Sequence, residues 1–188
     1  MRITGGDLKG RTINFPAGIK ERPTSDFLRE TIFNLLPPVE GKNFLDLFAG
    51  SGCVGLEAAS RDARHVYLIE KDKKLAGVIR KNVKSLTLDE KCTVINFDIE
   101  TALKDLAKKN YRAEIVFADP PYNRNLVNFT LACLSRYQVL DEKGMIVIQH
   151  SAKENYQEFL PENIYQIKQR KYGENMVTIF GRSLNGTG

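Results

Sequence analysis

The chain has 188 residues, 42% of them hydrophobic and 27% charged, enough apolar side chain for the core of one soluble domain. The formal net charge is +5 with an isoelectric point near 9.1, which tilts toward a polyanionic partner and away from an acidic, solvating chain. No apolar run approaches the roughly 20 residues of a membrane span and no apolar leader follows Met1, so the expected address is the cytoplasm, with no membrane partner. Cys53, Cys92 and Cys133 are odd in number and far apart. That pattern argues against a disulfide framework and against a zinc knuckle, so buried free thiols and no metal are expected.

In chain order, two short runs come first, residues 2–4 and 11–15, flanking Gly5-Gly6-Asp7. They predict a small hairpin, with the glycines letting it project. Ser25 or Asp26 then caps a helix running to about Leu36, stopped by Pro37-Pro38. From residue 43 apolar runs alternate with amphipathic stretches. Residues 43–48, 65–70, 93–97, 114–118 and 145–149 read as strands, nearly continuous in apolar side chains, as strands covered on both faces of a parallel sheet are. Residues 54–60, 73–86, 101–109 and 126–137 read as the helices between them. The second of these carries Leu75, Val78, Ile79, Val83 and Leu86 at helical spacing. Residues 165–171 and 176–180, joined across Gly173, predict an antiparallel hairpin. The pattern is that of an α/β, Rossmann-like sheet, mostly parallel with a C-terminal antiparallel hairpin. It reads as a single domain over 1–188: a hairpin-and-helix extension at 1–40, a core at 41–182 and a tail at 183–188.

The chemistry begins at Phe44-Leu45-Asp46-Leu47-Phe48-Ala49-Gly50-Ser51-Gly52-Cys53-Val54-Gly55, where a strand ends, a glycine-rich turn follows and a helix starts. The glycines permit positive φ and close approach of a ligand to the backbone. Gly50, Gly52 and Gly55, with Glu70 further on, also satisfy the dinucleotide pattern, so a nicotinamide or flavin enzyme competes here. Charge separates the two. A dinucleotide lays a pyrophosphate on the helix N-terminus, and Asp46 would repel it. S-adenosylmethionine carries a sulfonium and an ammonium instead, and Asp46, Glu70, Asp98 and Asp119 all stand at or near the C-terminal ends of predicted strands, the edge that lines the ligand crevice in such sheets.

The second motif is Asp119-Pro120-Pro121-Tyr122, directly after the apolar run Ile115-Val116-Phe117-Ala118. Two prolines lock the backbone extended and remove two donors while leaving two carbonyls. One such carbonyl and the Asp119 carboxylate can both accept from one amino group, and Tyr122 offers a flat ring for a base. An exocyclic amine is a poor nucleophile because its lone pair is delocalised. Two acceptors on its hydrogens favour the pyramidal nitrogen and the positive charge that develops on methyl attack. No histidine base is needed, so His65 and His150 read as structural.

With these motifs the chain resembles the class I S-adenosylmethionine-dependent amino-methyltransferases. Their glutamine-modifying members usually begin the tetrad with Asn, so Asp119 favours a base. Arg2-Ile3-Thr4-Gly5-Gly6, Lys9-Gly10-Arg11, Arg22-Pro23-Thr24 and Arg29-Glu30-Thr31-Ile32-Phe33-Asn34 resemble the RsmD family of bacterial 16S ribosomal RNA guanine-N2 methyltransferases. The resemblance implies that Asp46 and the backbone of Phe48, Ala49, Gly50, Ser51 and Gly52 hold the methionine moiety of S-adenosylmethionine. It further implies that Glu70 takes the ribose hydroxyls, that Asp98 and the Ile99 N–H read the adenine, and that Asp119 and Pro120 hold the target amine beside the Tyr122 ring. It implies a monomer acting on 16S rRNA in an assembling small ribosomal subunit. Arg2, Lys9, Arg11, Lys20 and Arg22 would follow its phosphates, and Asn123 and Arg124 would lie near substrate. Two other readings stay open: a DNA adenine-N6 or cytosine-N4 methyltransferase, and a non-catalytic RNA-binding assembly factor.

Overall fold

The computed structural model describes residues 1–15, 25–122, 125–154, 156 and 160–183. Lys20, Arg22, Asn123 and Arg124 lie outside them. Among the described residues five helices and seven strands follow in order: α1 (Asp26–Leu35), β1 (Asn43–Asp46), α2 (Cys53–Ser60), β2 (His65–Ile69), α3 (Lys73–Ser85), β3 (Cys92–Ile95), α4 (Ile99–Lys108), β4 (Ala113–Ala118), α5 (Leu126–Arg136), β5 (Leu140–Ser151), β6 (Ile164–Tyr172) and β7 (Asn175–Arg182). The strands form a mostly parallel α/β sheet in the order β3-β2-β1-β4-β5-β7-β6, ending in the expected antiparallel hairpin. Among the described residues no helix is long and apolar enough to cross a membrane. Contacts divide the chain into two compact units, Met1–Asp98 and Ile99–Gly188.

In the first unit β1, β2 and β3 pair in parallel. Phe44, Leu45, Val66, Leu68 and Ile69 are buried, each such side chain contributing about 1.5–3 kcal/mol. Helix α2 is buried along its whole length. Gly55 lets it lie close to β2: a Cβ there would stand 2.7 Å from Leu68 Cδ2. Asp72 caps α3 by accepting from the N–H groups of Lys74 and Leu75, and Leu75, Ala76, Ile79 and Val83 give that helix its buried stripe.

The N-terminal hairpin is shorter than expected. One antiparallel bridge joins Arg2 to Thr12, and Ile3 and Arg11 pair through the Ile3 N–H and the Arg11 carbonyl at 2.9 Å. Nor does it project. The Asp7 N–H donates to the Ser60 carbonyl at 2.9 Å, and Ser60 Oγ donates to the Gly5 carbonyl at 2.7 Å. A Cβ on Gly6 would fall 1.9 Å from the Ser60 carbonyl oxygen. Gly5 and Gly6 therefore let the hairpin dock on the end of α2, which corrects the expectation that they free it. On the other side Asn14 and Asn82 exchange two hydrogen bonds, at 3.0 and 2.9 Å.

A buried ion pair fastens this corner. Arg29 on α1 and Glu57 on α2 are both 0% exposed and lie 2.8 Å apart. Glu57 also accepts from the Thr4 N–H and hydroxyl at 2.9 and 2.6 Å and from Arg61 at 2.8 Å. Arg29 donates further to the Arg2 carbonyl and to Asp26. Burial by itself would raise the Glu57 pKa. The hydrogen bonds from Thr4, Arg61 and Arg29 outweigh it and hold the carboxyl below its ordinary 4.5.

In the second unit β4 and β5 pair in parallel, with a shift in register between Ala113 and Ile115. β5 begins at Leu140, five residues before the apolar run at Met145, because the polar stretch Asp141-Glu142-Lys143-Gly144 is carried in the strand as an irregularity. Helix α4 buries Ile99, Ala102, Leu103 and Leu106. β5, β7 and β6 run antiparallel.

Removing the carboxylate takes from the buried Arg29 guanidinium its one fully buried counter-charge, leaving the exposed Asp26 and the Arg2 carbonyl. Glu57→Ala is expected to lower stability by about 3–5 kcal/mol in urea denaturation near neutral pH. Because the folded pKa is depressed, this contribution is present above the ordinary carboxylate range and is lost as pH falls through the folded value. The gap between wild type and variant should therefore narrow in acid. A constant gap down to strongly acidic pH would count against the assignment.

Candidate active site: a glycine-rich loop and an acceptor tetrad

The first unit supplies the glycine-rich loop. Strand β1 stops at Asp46, so Phe48, Ala49, Gly50, Ser51 and Gly52 form the turn into α2. The Ala49 N–H donates to the Ile69 carbonyl at 2.9 Å and the Gly52 N–H to Ala49 at 2.6 Å. Gly50 and Gly52 have φ of 54° and 79°, a region in which an L side chain is strained. Around Gly50 the space is open: an added Cβ would meet only the Phe48 carbonyl oxygen, at 3.9 Å. At Gly52 it would press on Ile79 and Leu68. One glycine thus leaves room beside the backbone, and the other lets the loop pack down.

Asp46 is 1% exposed, and its Oδ2 accepts from the Gly55 N–H at 3.0 Å. Ser51 Oγ accepts from the Cys53 N–H at 3.3 Å. Two amides of the first turn of α2 are thus served by the protein's own groups, one of them a carboxylate. A pyrophosphate at this helix N-terminus would meet a fixed negative charge. Glu70, one residue beyond β2, accepts from the Gly50 N–H at 2.9 Å and the Asp72 N–H at 2.8 Å. It thereby joins the open side of the loop to the start of α3. Asp98 is exposed and immediately precedes Ile99, the first residue of α4. The Ile99 N–H belongs to the set of first-turn amides with no partner within the helix.

The second unit supplies the tetrad. β4 ends at Ala118, so Asp119 is the first residue beyond the strand. Pro120 is buried, Asp119 and Pro121 are half-buried, and Tyr122 is 38% exposed. No peptide bond among the described residues is cis. The Tyr122 hydroxyl donates to Asn175 Oδ1 at 2.6 Å and accepts from Gln149 Nε2 at 3.2 Å. These bonds fix the ring by its edge and leave its faces to packing. Burial raises the Tyr122 pKa; Gln149 opposes this, and the charges of Asp119 and Glu154 add to it. The phenol stays neutral, as a stacking ring should.

Gln149 and Asn175 were not among the residues picked out from the sequence. Gln149 carried a signal: it is the one polar residue at the end of the apolar run Met145-Ile146-Val147-Ile148. His150 is 1% exposed, with its Nε2 on Thr178 and its Nδ1 on the Ser151 carbonyl. His65 pairs with Thr93. Burial lowers both histidine pKa values, which suits neutral, structural rings. The three cysteines are buried and free, and burial pushes the Cys92 thiol up to about 12. Of the basic residues expected to meet phosphate, Arg2, Lys9 and Arg11 are exposed on the docked hairpin.

The chain matches the model of a family described as conserved hypothetical protein 95 over residues 1–181. It is 35% identical over 187 residues to the ribosomal RNA small subunit methyltransferase D of Escherichia coli K12, covering 99% of this chain and 92% of that protein. Among solved structures, yhhF of Escherichia coli superposes with a TM-score of 0.82 at 31% identity, over 97% of this chain and 98% of that one. A Thermus thermophilus protein does so with a TM-score of 0.79 at 32% identity, over 95% and 98%. With its family match nearly end to end and its identity to a methyltransferase D held over almost the whole length of both proteins, the chain belongs to the conserved hypothetical protein 95 family, the family of the RsmD proteins.

Proposed function

We propose that this protein transfers a methyl group from S-adenosylmethionine to the exocyclic N2 of a guanine in the 16S RNA of the small ribosomal subunit. The observation that carries the reading is the tetrad Asp119-Pro120-Pro121-Tyr122 at the end of β4, its ring held by edge hydrogen bonds, in a chain alike over nearly its whole length to a protein named ribosomal RNA small subunit methyltransferase D.

The glycine-rich loop suits S-adenosylmethionine. There is open space beside Gly50, a carboxylate at Glu70 next to it, and a buried carboxylate where a dinucleotide would need an anion site. The cofactor supplies the methyl group from a sulfonium that departs as a neutral thioether. The chain's own contribution is to hold and polarise the amine. Asp119 and the Pro120 carbonyl accept from its two hydrogens, directing the nitrogen lone pair along the line of attack. With the cofactor bound, the amine would displace the methyl group from sulfur, the thioether being the leaving group, and Asp119 would take up the proton shed by the alkylated nitrogen and pass it to water. Acceptors placed where positive charge develops, together with in-line positioning, make up the catalytic apparatus. A base must leave its stack to reach such a pocket, which favours an exposed RNA loop as target. Arg2, Lys9 and Arg11, joined by Arg22 and Arg124, follow the phosphates.

Small ribosomal subunits from cells lacking the protein, incubated with labelled S-adenosylmethionine, are expected to carry the label in N2-methylguanosine. Label in a methylated adenosine would overturn the guanine assignment, and no label in the subunits with label in a parallel incubation with DNA would favour the DNA reading. Asp119→Ala should reduce turnover by about 10²–10³-fold while leaving the fold and, in equilibrium binding, the cofactor affinity in place; turnover retained without the carboxylate would remove Asp119 from the mechanism. Neutralising Arg11 and Arg22 should weaken RNA binding and flatten the log–log slope of affinity against salt by roughly 0.7–0.9 for each phosphate no longer neutralised. An RNA affinity equal to wild type would detach these residues from substrate binding.

A further inference from the structure

Beside the tetrad lie three buried acceptor oxygens that the mechanism above does not use: Gln149 Oε1 and both carboxylate oxygens of Glu154, none of which has a hydrogen-bond partner among the described residues. Gln149 is 4% exposed. Its amide orientation follows from the network. Tyr122 spends its only proton on Asn175 Oδ1, so it can only accept from Gln149, which must present Nε2 to the phenol and is left with Oε1 unused. Glu154 sits on the turn that follows β5. Its N–H donates to the Ser151 carbonyl at 3.1 Å, and Ser151 pairs in register with Asn175, the residue that holds the Tyr122 hydroxyl. Its charge is felt by the Tyr122 phenol. Burial raises the Glu154 pKa, and the Ser151 backbone N–H, which approaches the carboxyl without reaching full hydrogen-bond geometry, opposes this. Buried acceptors in native proteins are nearly always satisfied, and those that are not call for an explanation.

A guanine provides one. Next to the N2 amine its Watson–Crick edge carries a second donor, the N1–H; adenine has a lone pair at the same place. With the amine held by Asp119 and Pro120, the adjacent group on that edge requires an acceptor on the tetrad side. We propose that Glu154, seconded by Gln149 Oε1, accepts the N1–H of the target guanine and thereby selects guanine over adenine. The inference rests on the guanine reading above and adds to it the residue that enforces the choice. A carboxylate accepts and cannot donate, so adenine meets repulsion at this point where guanine gains a charge-assisted hydrogen bond. The same bond releases electron density into the ring and toward N2, which helps the amine attack.

The test uses the intact protein and reconstituted small subunits bearing, at the methylated position, either guanosine or 2,6-diaminopurine riboside. The latter keeps the 2-amino group but presents a lone pair at N1. Wild type should methylate guanosine far better. Glu154→Gln is nearly isosteric and can offer an N–H to that lone pair. It is expected to lose about 100-fold in kcat/KM on guanosine, to narrow the preference for guanosine over the diaminopurine by tenfold or more, and to keep the cofactor affinity and a Tm no lower than wild type. Glu154→Asp, which keeps the acceptor, should retain the preference. A Glu154→Gln enzyme with wild-type kcat/KM and preference overturns the assignment while leaving N2-methylguanosine as product. Equal losses on both substrates with a lowered Tm overturn it in favour of a structural role. A wild-type product other than N2-methylguanosine overturns the guanine reading, and this inference with it.

Discussion

The pairing of Arg29 with Glu57 is the constraint on which the first unit depends. Glu57 lies on α2, the helix that starts at the glycine-rich loop, and its carboxylate collects hydrogen bonds from Thr4, Arg29 and Arg61. Through it the N-terminal hairpin and α1 are fastened to the helix whose first turn shapes the loop. A buried pair of this kind adds little net stability over an apolar substitute, but it penalises any arrangement in which one partner lacks the other. It therefore serves uniqueness: the hairpin has one docked position, and the basic side chains of Arg2, Lys9 and Arg11 are presented from a fixed base.

The same economy of placement appears in the loop. Asp46 holds the Gly55 N–H inside the first turn of α2, Glu70 holds the Gly50 N–H at the open side, and Gly52 and Gly55 take the close packing against β2 and α3. The loop is thus stiffened by carboxylates on backbone amides. A cationic ligand meets negative charge already in place, and a phosphate meets a helix end whose positive potential is already answered. This is the physical ground on which one glycine pattern, shared by two cofactor classes, resolves into the methyl donor.

Much of this was legible in the sequence, for reasons that can be named. Strands covered on both faces write themselves as apolar runs, and the stripe through Leu75, Ile79 and Val83 has only one helical reading. A double proline after a strand has few local conformations, so Asp119 and Tyr122 could be placed beyond β4 in advance. The omissions share a cause: they depend on partners distant in sequence. Arg29 is legible only as part of a family-like block and Glu57 carries no local signal, because nothing local shows that α2 is buried all round. Gly5 and Gly6 read as freedom, because the Ser60 carbonyl they approach lies more than fifty positions away. The polar Asp141-Glu142-Lys143-Gly144 lie ahead of the run 145–149 that reads as a strand, and the strand in fact carries them as an irregularity. Gln149 closes the predicted strand 145–149, and a lone amide beside buried aliphatic neighbours is the kind of residue that needs a partner.

Charge is divided in this molecule, and the division has a consequence for how substrate and cofactor are held. The excess of positive charge lies on exposed side chains such as Arg2, Lys9 and Arg11, where salt screens it over a Debye length of about 8 Å at physiological ionic strength. The carboxylates that serve the loop, Asp46 and Glu70, are buried and bonded to amides, where screening reaches them far less. Under the proposed function, polyanion capture would therefore depend on salt, and cofactor capture would be nearly independent of it. A basic protein can carry an acidic loop without conflict because the two fields act at different depths: on the proposed reading the outer one would gather RNA from solution, and the inner one would hold a sulfonium against a backbone the protein has already tied down.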